Sequence, residues 1–381
     1  MEGFPPPPEA RIRFDDGSFY SWPQLRWTFS NIQQLVPTRS VWRGPDACRP
    51  LAGSTDGLGR PAIRTTDGRD LTWDMALDEL HTDGLVVLHR GGLVHEEYRA
   101  HGGPRRPHII MSAAKSVVGT LAMLLDHEGL LDRDAPVTDL VPELAGSAWD
   151  DATVRQVMDM LVGMEFHEDY LDGDSEVYRY LRSAGMLPFG PDHEGPRSFY
   201  EYLPTIRGAG GHGRAFAYRE PNINVLGWIV RRASGRIWRH LGAEQDATFM
   251  VDHSGAETTM NMTTRDFARF GDLFRTGGLV DGVRVLPEEV ADEPFLGGDR
   301  DLFALAEMET LPGWSYRSQW WVRHLDDRSR PMARGAHGQV LAIDRPSGVV
   351  VAHMGSAPRP PSTLLDGVMQ PLLDAIIGAV Q

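Results

Sequence analysis

Residues 111–128 read MSAAKSVVGTLAMLLDHE, and both the fold and the chemistry of the chain turn on this stretch. Val117, Val118, Leu121, Leu124 and Leu125 recur at the spacing of one helical face, which predicts a helix over Ser112–Glu128 stopped by Gly129. Ser112 and Lys115 stand three apart at its start, so their side chains share one side of the helix. The helix N-terminus turns the positive end of its dipole toward an alkoxide or oxyanion formed there. A lysine without its proton can take the hydroxyl proton while the serine attacks a carbonyl, and burial beside a polar neighbour can free such an amine. The competing reading is a surface lysine on a helix capped by a serine.

Composition weighs between these readings. Of the 38 Lys plus Arg residues, 37 are arginine and one, Lys115, is lysine. A chain of 381 residues ordinarily carries on the order of twenty lysines. Arginine serves wherever charge alone matters, but it keeps its proton, whereas a buried lysine can surrender its own. With 19 serines in the chain, the chance that one stands three before the sole lysine is roughly one in twenty.

Outward from this helix, the flanks alternate in character. Residues 1–80 are rich in Pro, Gly and Asp and predict an irregular wrap with short helical pieces such as Asn31–Leu35. Gly84–Arg90 and Leu93–Arg99 are β-rich runs around Gly91-Gly92, a hairpin pattern. Helices are expected over Thr153–Val162, with Asp151 near its cap, over Asn222–Ala233, ending near Gly235, and over Thr263–Phe274, where Thr263-Thr264-Arg265-Asp266 suggests a capping box. Strands return at Gln319–Arg323, Gln339–Ile343 and Val349–His353, the last two joined by the turn Asp344–Gly348. An apolar helix over Ser362–Val380 follows Pro360-Pro361. Strands at both ends with helices between imply one sheet completed by both ends of the chain and a helical lobe inserted in the middle.

The net charge of −15 excludes the basic face that nucleic-acid binding needs and disfavours anionic membrane surfaces. No run of about 18 apolar residues is present to span a membrane. One cysteine, Cys48, excludes an internal disulfide and a cysteine metal cluster. Met1–Phe14 lacks the apolar core of a signal peptide, so the cytoplasm is the expected compartment.

Met111-Ser112-Ala113-Ala114-Lys115-Ser116, preceded by the hairpin, resembles the penicillin-recognising serine hydrolases: class C β-lactamases, DD-peptidases and related carboxylesterases. Gly129-Leu130-Leu131-Asp132, Pro136-Val137-Thr138 and the Thr153-Val154-Arg155 helix running to Gly163 resemble that family as well. Within it the chain is most similar to the 6-aminohexanoate-dimer hydrolase branch. The similar stretches run nearly end to end, through Arg26-Trp27, Val141–Ser147, Glu168-Asp169-Tyr170, Arg182–Gly185, Gln319-Trp320-Trp321 and His337-Gly338-Gln339.

The resemblance implies an α/β (α+β) serine β-lactamase/DD-peptidase-like fold, with an antiparallel sheet flanked by helices and an inserted α-helical lobe. Residues 1–110 and 236–381 would form the sheet lobe, and 111–235 the helical lobe. It further implies that Tyr218, just before the helix that runs to Leu226-Gly227-Trp228, shares a proton with Lys115 and delivers it to the leaving group. Ala333-Arg334-Gly335 aligns with the family's inner-strand triplet, which makes the backbone N–H groups of Ser112 and Ala336 the oxyanion hole. No lysine or histidine stands at the first triplet position, so the usual cation for a β-lactam or D-alanyl carboxylate is missing; Arg334 is expected on the opposite face of the strand.

Tyr170 matches the substrate-side tyrosine, Leu181 makes its corner of the pocket apolar, and His337 is a candidate substrate contact, although beside a glycine on a strand edge a structural role weighs more. The chain looks shorter than its relatives between Gly235 and Arg236 and between Glu257 and Thr258, where a pocket-side glycine-rich loop is missing.

Gly208–Gly213 fits a dinucleotide-binding glycine pattern literally, but neither follows a strand nor opens a helix. No H-E-x-x-H or G-x-S-x-G occurs. The expected activity is cleavage of amide or ester bonds of small linear substrates through an acyl-enzyme on Ser112. No metal or organic cofactor is implied, the partner is a small amide or ester, and a homodimer is left open. The alternatives are β-lactamase or DD-peptidase activity on the same scaffold, or a non-catalytic binding protein.

Overall fold

The computed structural model describes residues 7, 11–45, 48–190, 193–231 and 241–380. Two sheets are built from β1 (Thr38–Val41), β2 (Thr82–His89), β3 (Gly92–Tyr98), β4 (His108–Ile109), β5 (Ala247–Val251), β6 (Glu257–Met262), β7 (Ser315–Arg317), β8 (Trp320–His324), β9 (Ser329–Gly335), β10 (Gln339–Asp344) and β11 (Val349–Gly355). The main sheet has seven antiparallel strands in the order β7-β8-β9-β10-β11-β2-β3. The early hairpin therefore docks on the last strand, as expected from strands at both ends of the chain. The second sheet, β1-β5-β6-β4, is small and was not legible in the sequence pattern.

β2, β10 and β11 are continuous apolar runs because both faces of the sheet are covered. Val86, Leu88, Leu341, Ile343, Val350 and Ala352 turn to one face, where Phe267 and Phe270 of helix α5 pack. Leu85, Val87, Val340, Ala342 and Val351 turn to the other, against Leu372 and Ile376 of helix α6. The period of two along a strand makes this division automatic. The helices are α1 (Ala114–His127), α2 (Val154–Met158), α3 (Glu176–Ser183), α4 (Pro221–Val230), α5 (Thr264–Arg275) and α6 (Asp366–Ala379).

Local chemistry sets the boundaries. The hairpin turns on Arg90-Gly91, both at positive φ (52° and 83°), so Gly92 already belongs to β3 and the Gly91-Gly92 expectation is one residue late. This is the two-residue turn whose twist suits a hairpin. Thr153, not Asp151, caps α2, in a reciprocal capping box with Gln156. That helix stops at Met158, four residues short of the expected Val162, because the Gln319 side-chain amide donates to the Val157 and Met158 carbonyls (3.1 and 3.0 Å) and satisfies its C-terminal acceptors. Thr263 caps α5 by accepting from the Asp266 amide, while the Asp266 carboxylate accepts from the Glu244 and Gln245 amides instead of closing a capping box. The expected helix stop near Gly235 and the shortening beside it lie outside the described residues.

The helical segment between β4 and β5 packs on the same face of the sheet as α5. Trp149, Val154, Phe166, Tyr180 and Ile223 share one hydrophobic cluster with Phe267, Leu341 and Ala352. One core thus joins this helical segment to the main sheet, and α1 lies between α4 and strands β8 and β9. Gly119 lets α1 sit this close: a Cβ there would stand 2.3 Å from the Ser318 carbonyl oxygen. Replacing Gly119 with alanine gains about 1 kcal/mol of helix propensity. It should still destabilise the protein by about 1–3 kcal/mol, because backbone must move. Urea unfolding measures this; an unchanged or raised midpoint would contradict the packing described.

Candidate active site

Ser112 sits in a single 3-10 turn, Met111–Ala113, that leads straight into α1. The turn is held from three sides. The Ile110 amide donates to the Met260 carbonyl of β6 (2.9 Å). Thr259 Oγ1 donates to the Met111 carbonyl (2.9 Å). Gly335, ending β9, presses so close that a Cβ would lie 2.5 Å from the Ile110 oxygen and 3.0 Å from the Ala113 nitrogen. Met111 takes φ +48°, a conformation that side-chain-bearing residues rarely adopt and that is typical of constrained sites. The serine is therefore fixed by both sheets at once.

One turn later, Lys115 is only 3% exposed. Its Nζ donates to Ser112 Oγ (2.8 Å) and to Glu220 Oε2 (2.6 Å). Tyr218 closes the group from the segment leading into α4. Its ring centroid lies 5.1 Å from Lys115 Nζ, and the ring packs on Trp321 of β8 at 5.3 Å. Burial pushes the Tyr218 phenol well above its ordinary value and the Glu220 charge adds to this, while a hydrogen bond with Ser112 acts in the opposite direction. The phenol is thus held in its protonated form, as a proton donor must be. The structure brings together the three groups that the sequence singled out.

Two carboxylates complete the cluster, and neither was assigned a role from the sequence. Glu220 directly precedes α4 and pairs with Lys115. Its backbone N–H donates to Glu168 Oε2 (2.6 Å), and Tyr170 Oη donates to Glu168 Oε1 (3.0 Å). Burial pushes the Glu168 carboxyl up to about 7, with the Glu220 charge adding to the shift. The signal available in the sequence was the lysine itself: a buried ammonium requires a counter-charge, and Glu220 stands two residues after Tyr218.

Two cavities meet at Ser112. The inner one is lined by Phe19, Phe29, Ile32, Leu181, Met186 and Met250 among others, with Lys115 and Glu220 as its charged residues at the catalytic end. Leu181, on α3, takes its expected place in this apolar wall. The outer cavity is lined by Tyr218, Glu168, Trp321, Arg334, Ser362 and Thr363 among others. Tyr170 and Ala336 border both, so Tyr170 and the residue after β9 line the same space as Ser112. Arg334 turns to the α6 side of β9 and donates to Asp366 Oδ1 (2.6 Å), but it does not leave the site, because it lies over Trp321 in the wall of the outer cavity.

His337 departs from the expectation of substrate contact. It is 1% exposed, bonded to Tyr20 Oη through Nε2 (2.6 Å) and to the Ala357 carbonyl through Nδ1 (2.6 Å). Burial pushes it down to about 4. The wrap formed by residues 18–32 covers it, and no pattern in that irregular segment foretold the contact. Gly208–Gly213 forms a loop packed on Gly163, in keeping with its rejection as a nucleotide site. Among the described residues, no group of three or more His, Cys, Asp or Glu is placed to hold a metal, and no helix is long and apolar enough to cross a membrane.

A family model described as Beta-lactamase matches residues 75–366. The 6-aminohexanoate-dimer hydrolase of Paenarthrobacter ureafaciens is 35% identical over 369 residues, covering 93% of this chain and 91% of that one. Among solved structures, the "Putative 6-aminohexanoate-dimer hydrolase from Bacillus anthracis" superposes with a TM-score of 0.85 at 24% identity, covering 97% of this chain and 98% of that one. A class C beta lactamase from Rhodobacter sphaeroides matches with a TM-score of 0.54 at 15% identity over 79% of this chain and 97% of that one.

Proposed function

Because the chain belongs to the Beta-lactamase family and is a serine hydrolase of amide or ester bonds, we propose that it cleaves small linear amides or esters through an acyl-enzyme on Ser112, with Lys115 and Tyr218 moving the protons. The observation that carries this reading is the position of Lys115 Nζ, 2.8 Å from Ser112 Oγ and buried against Glu220.

In the proposed reaction, Lys115 in its amine form takes the Ser112 proton as Oγ bonds to the carbonyl carbon. The backbone N–H groups of Ser112 and Ala336 receive the oxyanion. Tyr218 gives its proton to the departing nitrogen or oxygen and is refilled from Lys115. Water then attacks the acyl-enzyme by the same route in reverse and releases the acid. Among the described residues, we assign those within 111–235 to the helical lobe that carries these groups and those within 1–110 and 236–381 to the sheet lobe.

The inner cavity supports an acyl chain without charge at its far end, since an ammonium or carboxylate there would be buried without a partner. Ala333 at the first position of the inner-strand triplet offers no cation for the carboxylate that a β-lactam brings, and this supports linear substrates. The exposed free thiol of Cys48 suits a reducing compartment, the cytoplasm. The test is a panel of p-nitrophenyl butyrate, the linear 6-aminohexanoate dimer and nitrocefin. The neutral ester should exceed the other two in kcat/KM by at least about tenfold. Equal or faster turnover of the ω-amino amide or of nitrocefin would overturn the assignment of the inner cavity.

A further inference from the structure

A lysine that must act as a base is here clamped to a carboxylate. An anion beside an ammonium group favours the charged form, which holds back the proton that Ser112 activation needs removed. The same anion fixes the amine against the serine. Glu220 thus bears on both the aim of Lys115 and its readiness, and Glu168 stands directly behind it, joined through the Glu220 backbone N–H.

Resting on the hydrolase reading above, we propose that Glu220, backed by Glu168, is a positioning residue that controls when Lys115 becomes a base, by pairing with its ammonium across the 2.6 Å contact and holding it against Ser112. The step balances as a single proton transfer to solvent: a Lys115 N–H bond breaks, an O–H bond forms on a water molecule, and the ammonium becomes the amine while Glu220 stays a carboxylate. The amine then takes the Ser112 hydroxyl proton as Oγ bonds to carbon. When the leaving group departs with the Tyr218 proton, Lys115 passes the Ser112 proton to Tyr218 and is left as the amine for the second half of the reaction.

The groups that face this pair from the surrounding elements are Ser112 and Tyr218 beside the amine, Glu168 and Tyr170 from the loop before α3, Tyr180 from α3, Tyr316 from β7 and Arg334 from β9. Glu168, which burial already pushes up to about 7, is the other carboxylate within this cluster. Its protonation at falling pH removes negative charge from behind Glu220.

The test is the pH profile of kcat/KM for p-nitrophenyl butyrate with Glu220→Gln, Glu220→Leu and Glu168→Gln. Glu220→Gln keeps an acceptor for Lys115 Nζ but removes the anion, so the acid limb should move at least one unit toward lower pH while the plateau falls by less than about tenfold. Glu220→Leu also loses the acceptor, and its plateau should fall about a hundredfold or more. Glu168→Gln should move the limb in the same direction as Glu220→Gln, and it carries the test alone if the Glu220 variants fail to fold. A folded variant whose acid limb coincides with that of the parent overturns the proposal. Fluorophosphonate labelling of the parent separates the two levels: a label on Ser112 with an unmoved limb sinks only the role of Glu220, whereas no label on Ser112 sinks the hydrolase assignment beneath it.

Discussion

Replacing Ser112 with alanine should lower turnover of a p-nitrophenyl ester by more than about a thousandfold and leave the thermal midpoint within a few degrees. Both halves of the expectation come from the geometry. The 3-10 turn is held by main-chain and neighbouring groups, the Met260 carbonyl and Thr259 Oγ1 among them, so losing one hydroxyl does not undo it. The reaction loses the proposed nucleophile, and the hydroxyls that remain in the group are the phenols of Tyr218 and Tyr170, which burial holds in their protonated form. Lys115 Nζ loses one acceptor and keeps Glu220, so the buried ammonium stays paired. Steady-state kinetics beside a melting curve checks this. A variant that keeps even a tenth of the parent kcat would place the nucleophile elsewhere.

Lys115→Arg should be nearly as damaging, with a loss of at least about a hundredfold in kcat and a smaller change in KM. Arginine keeps the positive charge and can still pair with Glu220, so an account based on charge alone predicts tolerance. It cannot release its proton, and its planar head is larger than an amine in a site that is 3% exposed. The chain uses arginine at 37 of its 38 Lys plus Arg positions; full activity of Lys115→Arg would mean that the exception at position 115 carries no chemistry.

The residues that could be found in the sequence were those whose chemistry restricts residue type. Ser112 and Lys115 stood out because a sole lysine at helical spacing from a serine is hard to attribute to charge alone, and Tyr218 followed from the text leading into α4. The main sheet was legible because β2, β10 and β11 each carry an unbroken apolar run, Leu85–Leu88, Val340–Ile343 and Val349–Ala352. β9 was visible only through family resemblance, since Arg330, Pro331 and Arg334 argue against a strand inside a sheet. Both arginines are buried there because α6 and a neighbouring strand supply counter-charges: Asp374 and Asp344 for Arg330, and Asp366 for Arg334. Such pairing depends on tertiary contacts that no local pattern contains.

The same reason explains Glu220 and Glu168. Among 53 acidic residues, nothing local marks the two that fold against the lysine. His337 is a candidate substrate contact in the sequence because its neighbours border the site, although a structural role weighs more there. What decides its role is Tyr20, 317 positions away, which seals it behind the wrap. The second sheet escaped notice because β4 is two residues long and β6, Glu-Thr-Thr-Met-Asn-Met, lacks clear alternation of apolar and polar residues.

The most direct measurement is intact-protein mass spectrometry of the enzyme acid-quenched during turnover of p-nitrophenyl butyrate, followed by peptide mapping. A mass gain of one butyryl group on the peptide containing Ser112, present in the parent and missing from Ser112→Ala, is the predicted result. Steady turnover with the acyl group on another residue, or undiminished turnover by Ser112→Ala, would contradict it.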